Sequence, residues 1–167
     1  ERGYQMITLL EDTRNKIGFH KLKNEYFESQ GIKVLRSKLP VGDYSRMDNM
    51  SVVVDSKESI QELIMDICGK QHERFVRELE LAQSNGIKLI VLVENEAGWV
   101  DKNETVYNEV VNSIDDLFHW VNPRLFIFSK GQQKYPRATR GRTIAKACLT
   151  LEKKYGVEFR FCRPTDS

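Results

Sequence analysis

Ser51-Val52-Val53-Val54-Asp55-Ser56-Lys57, followed at once by Glu58-Ser59-Ile60-Gln61-Glu62-Leu63-Ile64, is where the fold of this 167-residue chain is decided. The first seven residues are β-branched and apolar until their end, a strand pattern that closes on an acid and a lysine. The next stretch reads as a helix. Ser59 and Glu62 stand at capping-box spacing, Ile60, Leu63, Ile64 and Ile67 recur at i, i+3, i+4 and i+7, and Gly69 closes the run. Upstream, residues 6–10 are a short β-prone run ending in Glu11-Asp12-Thr13-Arg14. Residues 15–30 carry Ile17, Leu22, Tyr26 and Phe27 at helical spacings before Gly31, residues 32–35 read as a second strand, and Pro40 with Gly42 marks a turn. Downstream, residues 71–85 are helical up to Asn85-Gly86, and residues 88–93 form an apolar strand of the kind buried on both faces. Strand and helix alternate over the first 95 residues, which predicts α/β architecture.

Beyond Glu94 the pattern loosens into a loop through Gly98 and Asn103. Val106, Val110, Ile114, Leu117 and Phe118 then mark a helix, residues 125–128 a strand, residues 130–142 a polar loop, residues 143–154 a helix and residues 157–162 a last strand. With no internal repeat or linker, residues 1–167 are expected to be one domain: a core over 1–95 and an extension over 96–167 that completes the fold.

Composition narrows the function classes. A hydrophobic fraction of 40% and a charged fraction of 30% belong to a globular chain. A net charge of +2, from 26 basic and 24 acidic residues, excludes the crudely basic nucleic-acid proteins without excluding nucleic acid. No apolar stretch approaches the roughly 18 residues of a membrane span, so no membrane partner is expected. Cys68, Cys148 and Cys162 show no CxxC spacing, and His20, His72 and His119 lie far apart. Neither a disulfide framework nor a zinc site is indicated, and a reducing, cytoplasmic setting is expected. The absence of a GxxxxGK[ST] loop leaves a nucleotide-binding α/β protein little support. The chain starts at Glu1 rather than Met, as a trimmed terminus does.

Three acidic features sit at strand ends: Asp12 after the first, Asp43 before the third, and Asp55 with Lys57 at the third strand's end. Residues i and i+2 of a strand share a face, so Asp55 and Lys57 project together. Joined by Asp43 on the Pro-Val-Gly turn, they form two carboxylates and an ammonium around one point. Phosphodiester hydrolysis needs such a set. Carboxylates hold Mg²⁺ or Mn²⁺, the ion lowers the pKa of a bound water, and the lysine orients that water or steadies developing charge. The triplet acid-any-Lys recurs at Glu152-Lys153-Lys154, inside a predicted helix where i and i+2 do not face each other. From spacing alone, the set is either a catalytic centre or a surface charge cluster.

Leu9-Leu10-Glu11-Asp12-Thr13-Arg14, Leu39-Pro40-Val41-Gly42-Asp43-Tyr44 and Val53-Val54-Asp55-Ser56-Lys57 together resemble the nuclease domain of the XPF family, a branch of the PD-(D/E)xK, restriction-endonuclease-like superfamily. The resemblance covers about residues 5 to 95. It implies a restriction-endonuclease-like central mixed β-sheet flanked by helices, and a Mg²⁺-dependent endonuclease, with Mn²⁺ able to substitute, acting on branched or structured DNA in repair or recombination. By the same resemblance Asp43 and Asp55 hold the metal, Asp12 assists as ligand or through a bound water, and Lys57 completes the catalytic set. Arg14, Gln71 and Arg74 support it. Asn15 stands where the family has Glu, Ser56 where it has Arg, Gln61 where it has a last Asp, and Asp55 where it has Glu. These departures give weight to an alternative, a non-catalytic relative serving DNA binding or dimerisation, and a second copy of the chain is a candidate partner. Without the helicase and paired helix-hairpin-helix modules of larger relatives, the chain resembles a small stand-alone bacterial or phage nuclease.

Between Leu117 and Leu151 there is no acidic residue, while Arg124, Lys130, Lys134, Arg137, Arg140, Arg142 and Lys146 supply seven positive charges. The remainder is net acidic. Such a stretch suits DNA-backbone contact, with Lys130, Lys134, Arg137, Arg140 and Arg142 as the candidate residues, or it is a solvated loop and helix face. Trp99, Tyr107, Trp120 and Tyr135 are candidates for stacking on unpaired bases, Trp120 more simply as core. Glu94, Asp115-Asp116, His72, Cys68 and Cys148 read as structural or surface residues.

Overall fold

The computed structural model describes residues 7–100 and 106–167, with backbone only at 99, 100, 106 and 107. Met6 and Asn103, and the side chains of Trp99 and Tyr107, lie outside the described residues. In chain order the first half contains β1 (Thr8–Glu11), α1 (Lys21–Ser29), β2 (Lys33–Arg36), β3 (Tyr44–Arg46), β4 (Asn49–Lys57), α2 (Ile60–Cys68), α3 (His72–Ser84) and β5 (Lys88–Glu94). The second half contains β6 (Gly98–Val100), β7 (Val106–Asn108), α4 (Ile114–Leu117), a 3₁₀ turn (Pro123–Phe126), β8 (Phe128–Ser129), β9 (Gln132–Gln133), α5 (Gly141–Tyr155), β10 (Glu158–Cys162) and a last 3₁₀ turn (Pro164–Asp166). No helix among the described residues is long and apolar enough to cross a membrane.

Six strands make one mixed sheet in the order β10-β5-β4-β3-β1-β2. The β1–β2, β4–β5 and β5–β10 pairs are parallel, and β3 runs antiparallel to both β1 and β4. The architecture is the α/β class with a mixed sheet flanked by helices. Strands β4 and β5, central and β-branched, contribute Val53, Leu89, Val91 and Val93 to the core; α2, α3 and α5 cover them with Leu63, Ile67, Leu79, Ile144 and Cys148. Each such side chain contributes roughly 1.5–3 kcal/mol by leaving water. Ser59 accepts the Glu62 N–H at 3.1 Å as the spacing predicts, while the Glu62 carboxylate reaches one residue past the cap and accepts the Glu58 N–H at 2.8 Å in place of the Ser59 N–H of a full capping box. Trp120 packs partly buried against the core.

Several expectations are corrected. The helix read over residues 15–30 starts only at Lys21, and the residues before it form turns. β3 follows the turn marked at Pro40 and Gly42, where no strand is expected; it is three residues long and is held by its pairing with β1 and β4 rather than by an apolar pattern of its own. The helix expected from Val106 is a short strand followed by a four-residue helix. Here amide side chains satisfy the backbone: Asn108 brackets Val121 at 2.7 and 3.0 Å, and Asn95 brackets Val111 at 2.7 and 2.8 Å. The strand expected over 125–128 is divided: its first two residues end a 3₁₀ turn, started by Pro123 and capped by the Asn122 side chain, and its last opens β8. α5 begins two residues early, at Gly141, where a Cβ would run into the Leu117 and Trp120 carbonyls.

Candidate active site

Burial alternates along the end of β4, so Val53, Asp55 and Lys57 share the core-facing side. Asp55 is only 6% and Lys57 9% exposed. Asp43 arrives beside them because its N–H donates to the Val54 carbonyl at 2.8 Å and its own carbonyl accepts the Asp12 N–H at 2.8 Å. Gly42 makes this approach feasible: its φ is +72°, and a Cβ there would strike Val53 Cγ1 and lie 3.1 Å from the Val54 carbonyl oxygen.

Asp12, Arg14, Asp43, Asp55, Lys57, Gln71 and Arg74 line one cleft of about 570 Å³. The structure thus brings the catalytic, metal and supporting residues of the sequence reading together. Asp12 is 3% exposed and occupied on both oxygens: Arg14 Nε donates to Oδ2 at 2.6 Å and the Leu39 N–H to Oδ1 at 2.9 Å, while Arg14 Nη2 donates to the Leu39 carbonyl. This ties the end of β1 to the loop that delivers Asp43.

Two departures from the family pattern meet on Asp43. Asn15 Nδ2 donates to Oδ1 at 2.8 Å, and Ser56 donates to Oδ2 through its N–H at 2.8 Å and its hydroxyl at 3.3 Å. Burial pushes the Asp43 carboxyl up, but the Asn15 and Ser56 hydrogen bonds outweigh it and hold the group below the usual carboxylate range. Asp55 behaves oppositely. Burial, reinforced by the charges of Glu78 and Asp43, raises its pKa well above the usual range despite Lys57. Asp55 Oδ2 lies 2.9 Å from Lys57 Nζ yet makes no aligned hydrogen bond, so it is a buried acceptor paired only by charge.

Lys57 Nζ also lies 2.7 Å from Asp66 Oδ2, on α2, and 5.6 Å over the Phe75 ring. Burial pulls its pKa down; Asp55 and Asp66 outweigh that and raise it, so the ammonium stays charged. The sequence reading missed Asp66, Arg77 and Glu78, all of which line the cleft. Glu78 accepts the Gly42 N–H at 3.0 Å. Helical spacing carried the missing signal: Arg74 and Glu78 on α3 stand three and seven residues after Gln71 at its N-cap, and Asp66 stands four after Glu62 on α2.

In the cleft, Asp12, Asp43, Asp55, Glu62, Asp66 and Glu78 face Arg14, Lys57, Arg74 and Arg77. With every group ionised the acids exceed the cations by two, the charge of one divalent ion. Among the described residues no three Asp, Glu, His or Cys side chains enclose a metal by themselves. Two carboxylates, one holding a charge-paired but unbonded oxygen, nevertheless fit Mg²⁺, which keeps several waters and binds through one or two carboxylates plus phosphate.

The basic set lies elsewhere. Lys130, Lys134, Arg137, Arg140 and Arg142 are all exposed and none lines the cleft. Arg124 and Lys134 flank the Tyr135 ring at 5.5 and 5.4 Å. Gln61, at the family's last Asp position, faces this segment: it donates to Asn122 Oδ1 at 2.7 Å, and Asn122 donates to the Thr139 carbonyl at 2.8 Å. Elsewhere Glu94 pairs with Lys23 at 2.5 Å, Asp116 accepts the Asn112 N–H, and Glu152 of the recurring triplet accepts the Phe159 N–H at 3.0 Å.

The family model of the ERCC4 domain matches residues 12–167. No curated protein matches the chain.

Proposed function

The chain belongs to the ERCC4 domain family, the XPF-type nucleases, and from that premise we propose that it is a divalent-metal-dependent endonuclease cutting branched or structured DNA. The observation that carries this reading is the gathering of Asp43, Asp55 and Lys57 in one cleft whose carboxylates outnumber its cations. A bound Mg²⁺ or Mn²⁺ would acidify a water and neutralise charge on the phosphate oxygens. Asp43, kept ionised by Asn15 and Ser56, is ready to hold the ion. Burial and the charges of Glu78 and Asp43 raise the Asp55 pKa, and a cation beside it would favour its ionised form. Lys57, held as an ammonium between Asp55 and Asp66, orients the attacking water and steadies the developing oxyanion, and is unsuited to accept a proton. Asp12 acts chiefly through the Leu39 N–H, setting the loop on which Asp43 stands. The exposed cations between Arg124 and Lys146 grip the DNA backbone. Residues 1–167 work as one nuclease domain, because β10 extends the sheet that contains the catalytic strand.

Cleavage of labelled fork, flap, four-way and linear duplex DNA with Mg²⁺ or Mn²⁺ tests this. Parent protein cutting in a metal-dependent way, with Asp55→Asn and Lys57→Ala inactive, supports it; variants that cut as well as the parent remove the assigned centre. The rival is a catalytically silent DNA-binding or dimerisation module. One observation favours it: Asp43 is saturated by hydrogen bonds from the two departing residues, Asn15 and Ser56. Calorimetry with Mg²⁺ and DNA separates the two, since the module takes up no ion.

A further inference from the structure

The tip Lys16-Ile17-Gly18-Phe19, between β1 and α1, presents two apolar side chains to water at the edge of the cleft. Ile17 is 87% and Phe19 58% exposed, and Phe19 lines the same cleft as Asp43 and Asp55. The tip is firmly held. Asn15, at its base, donates to Asp43 at 2.8 Å while its carbonyl accepts Arg36 Nη2 at 2.6 Å. Gly18, at φ +83°, turns the chain, and the Phe19 N–H donates to the Lys16 carbonyl at 3.0 Å. The Phe19 ring meets the His20 ring edge-on at 4.8 Å, and buried His20 lies 5.3 Å from Tyr44, whose hydroxyl donates to Glu11. The exposed aromatic therefore ends a braced stack rather than a loose loop. Arg14, Lys16 and Lys21, all exposed, flank it.

We propose that Phe19, with Ile17 beside it, is a stacking platform for an unpaired nucleobase adjoining the scissile phosphate. The proposal rests on the nuclease reading above for the identity of the polymer. A rigid aromatic with cations on either side matches the alternation of flat base and phosphate along a single strand, and such stacking is sequence-tolerant because every base has a π-face. Inside a duplex each base face is covered by its neighbours, so the platform engages only where a strand is unpaired. Its position at the cleft edge then makes an opened base next to the cut a criterion for cleavage. A protein docking on the same tip would not need the metal cleft beside it.

The test uses Asp55→Asn protein, which retains the cleft without cutting, and synthetic DNA with 2-aminopurine either at the first unpaired base of a fork or within a linear duplex. The expected result is quenching of the fork probe alone. Phe19→Ala abolishes the quench and weakens fork binding roughly tenfold or more, with duplex binding changed less than about twofold, and Phe19→Trp restores both. Equal weakening on fork and duplex, or no change on either, overturns the platform. So does a shift of oligomeric state in sedimentation, which would mark the tip as a protein interface. Parent protein that cuts DNA while Phe19→Ala binds the fork normally refutes only the platform. Parent protein that binds the fork through Phe19 but never cuts refutes only the nuclease reading. Parent protein that binds neither DNA refutes both.

Discussion

Asp55→Asn exchanges one carboxylate oxygen for an amide at almost unchanged volume and removes a buried charge. Burial is the first cause of the raised Asp55 pKa; Glu78 and Asp43 add to it, and Lys57 at 2.9 Å, shared with Asp66 at 2.7 Å, opposes it without cancelling it. A folded pKa one unit above the unfolded one costs about 1.4 kcal/mol once the group ionises. The asparagine protein, although inactive, is therefore expected to be more stable without metal by at least about 1.4 kcal/mol above that pKa, or roughly 3–6 °C in Tm for a domain of this size. The pH dependence follows from the sign of the shift. The folded pKa of Asp55 lies above the ordinary aspartate value of 3.8, so in the window between them the folded state binds the extra proton, and stability falls as pH rises through the raised pKa. Asn carries no such proton. Its advantage opens above about pH 4, grows with pH and levels off once Asp55 is ionised. On the metal-binding proposal, Mg²⁺ is expected to raise the Tm of the parent, as a ligand of the folded state alone does, and to move the variant little. Calorimetric melts of both proteins from pH 5 to 8, in EDTA and in Mg²⁺, read all of this. A variant melting below the parent at pH 8 in EDTA would refute the electrostatic argument.

Asp66→Asn leaves Lys57 with one carboxylate, so steady-state cleavage kinetics are expected to show kcat down by roughly 10- to 100-fold with KM little changed. Gly42→Ala forces a side chain into φ +72° and against Val53 and Val54; chemical denaturation should show a loss of about 1–3 kcal/mol, and activity should fall because Asp43 moves. Replacing Arg137, Arg140 and Arg142 together by Gln should weaken DNA binding uniformly across sequences, with the slope of log K against log salt reduced by about 1 per lost phosphate contact, measured by fluorescence anisotropy.

Local signals were enough for much of the framework. The run from Ser51 to Cys68 specifies its own structure, since a β-branched strand and a capped amphipathic helix each depend on neighbours within a few residues. The same holds for β5 and α5. The alternation that places Asp55 and Lys57 on one face is a property of any strand. Short elements were not legible in this way. β3 has three residues and no pattern, and residues 108–113 take their backbone partners from Asn95 and Asn108 rather than from a helix. The site divides along the same line. That Asp12, Asp43, Asp55 and Lys57 share a cleft could be anticipated, because strand ends in one sheet bring distant carboxylates together.

That Asp43 is held below the ordinary carboxylate range and Asp55 pushed above it could not, because such shifts depend on burial and on neighbours contributed by other elements. Asp66 and Glu78 come from helices whose rotation about their axes is settled only by packing; after burial and the Asp55–Lys57 pairing, Asp66 helps to raise the pKa of Lys57 and Glu78 that of Asp55. Asn15 and Ser56, substitutions when seen along the chain, are hydrogen-bond partners of Asp43 in space. Residue order was sufficient to name the chemical groups and the strand that presents them. Their ionisation, and the apolar tip beside them, emerged only on folding, because electrostatics and exposure depend on through-space distance and not on separation along the chain.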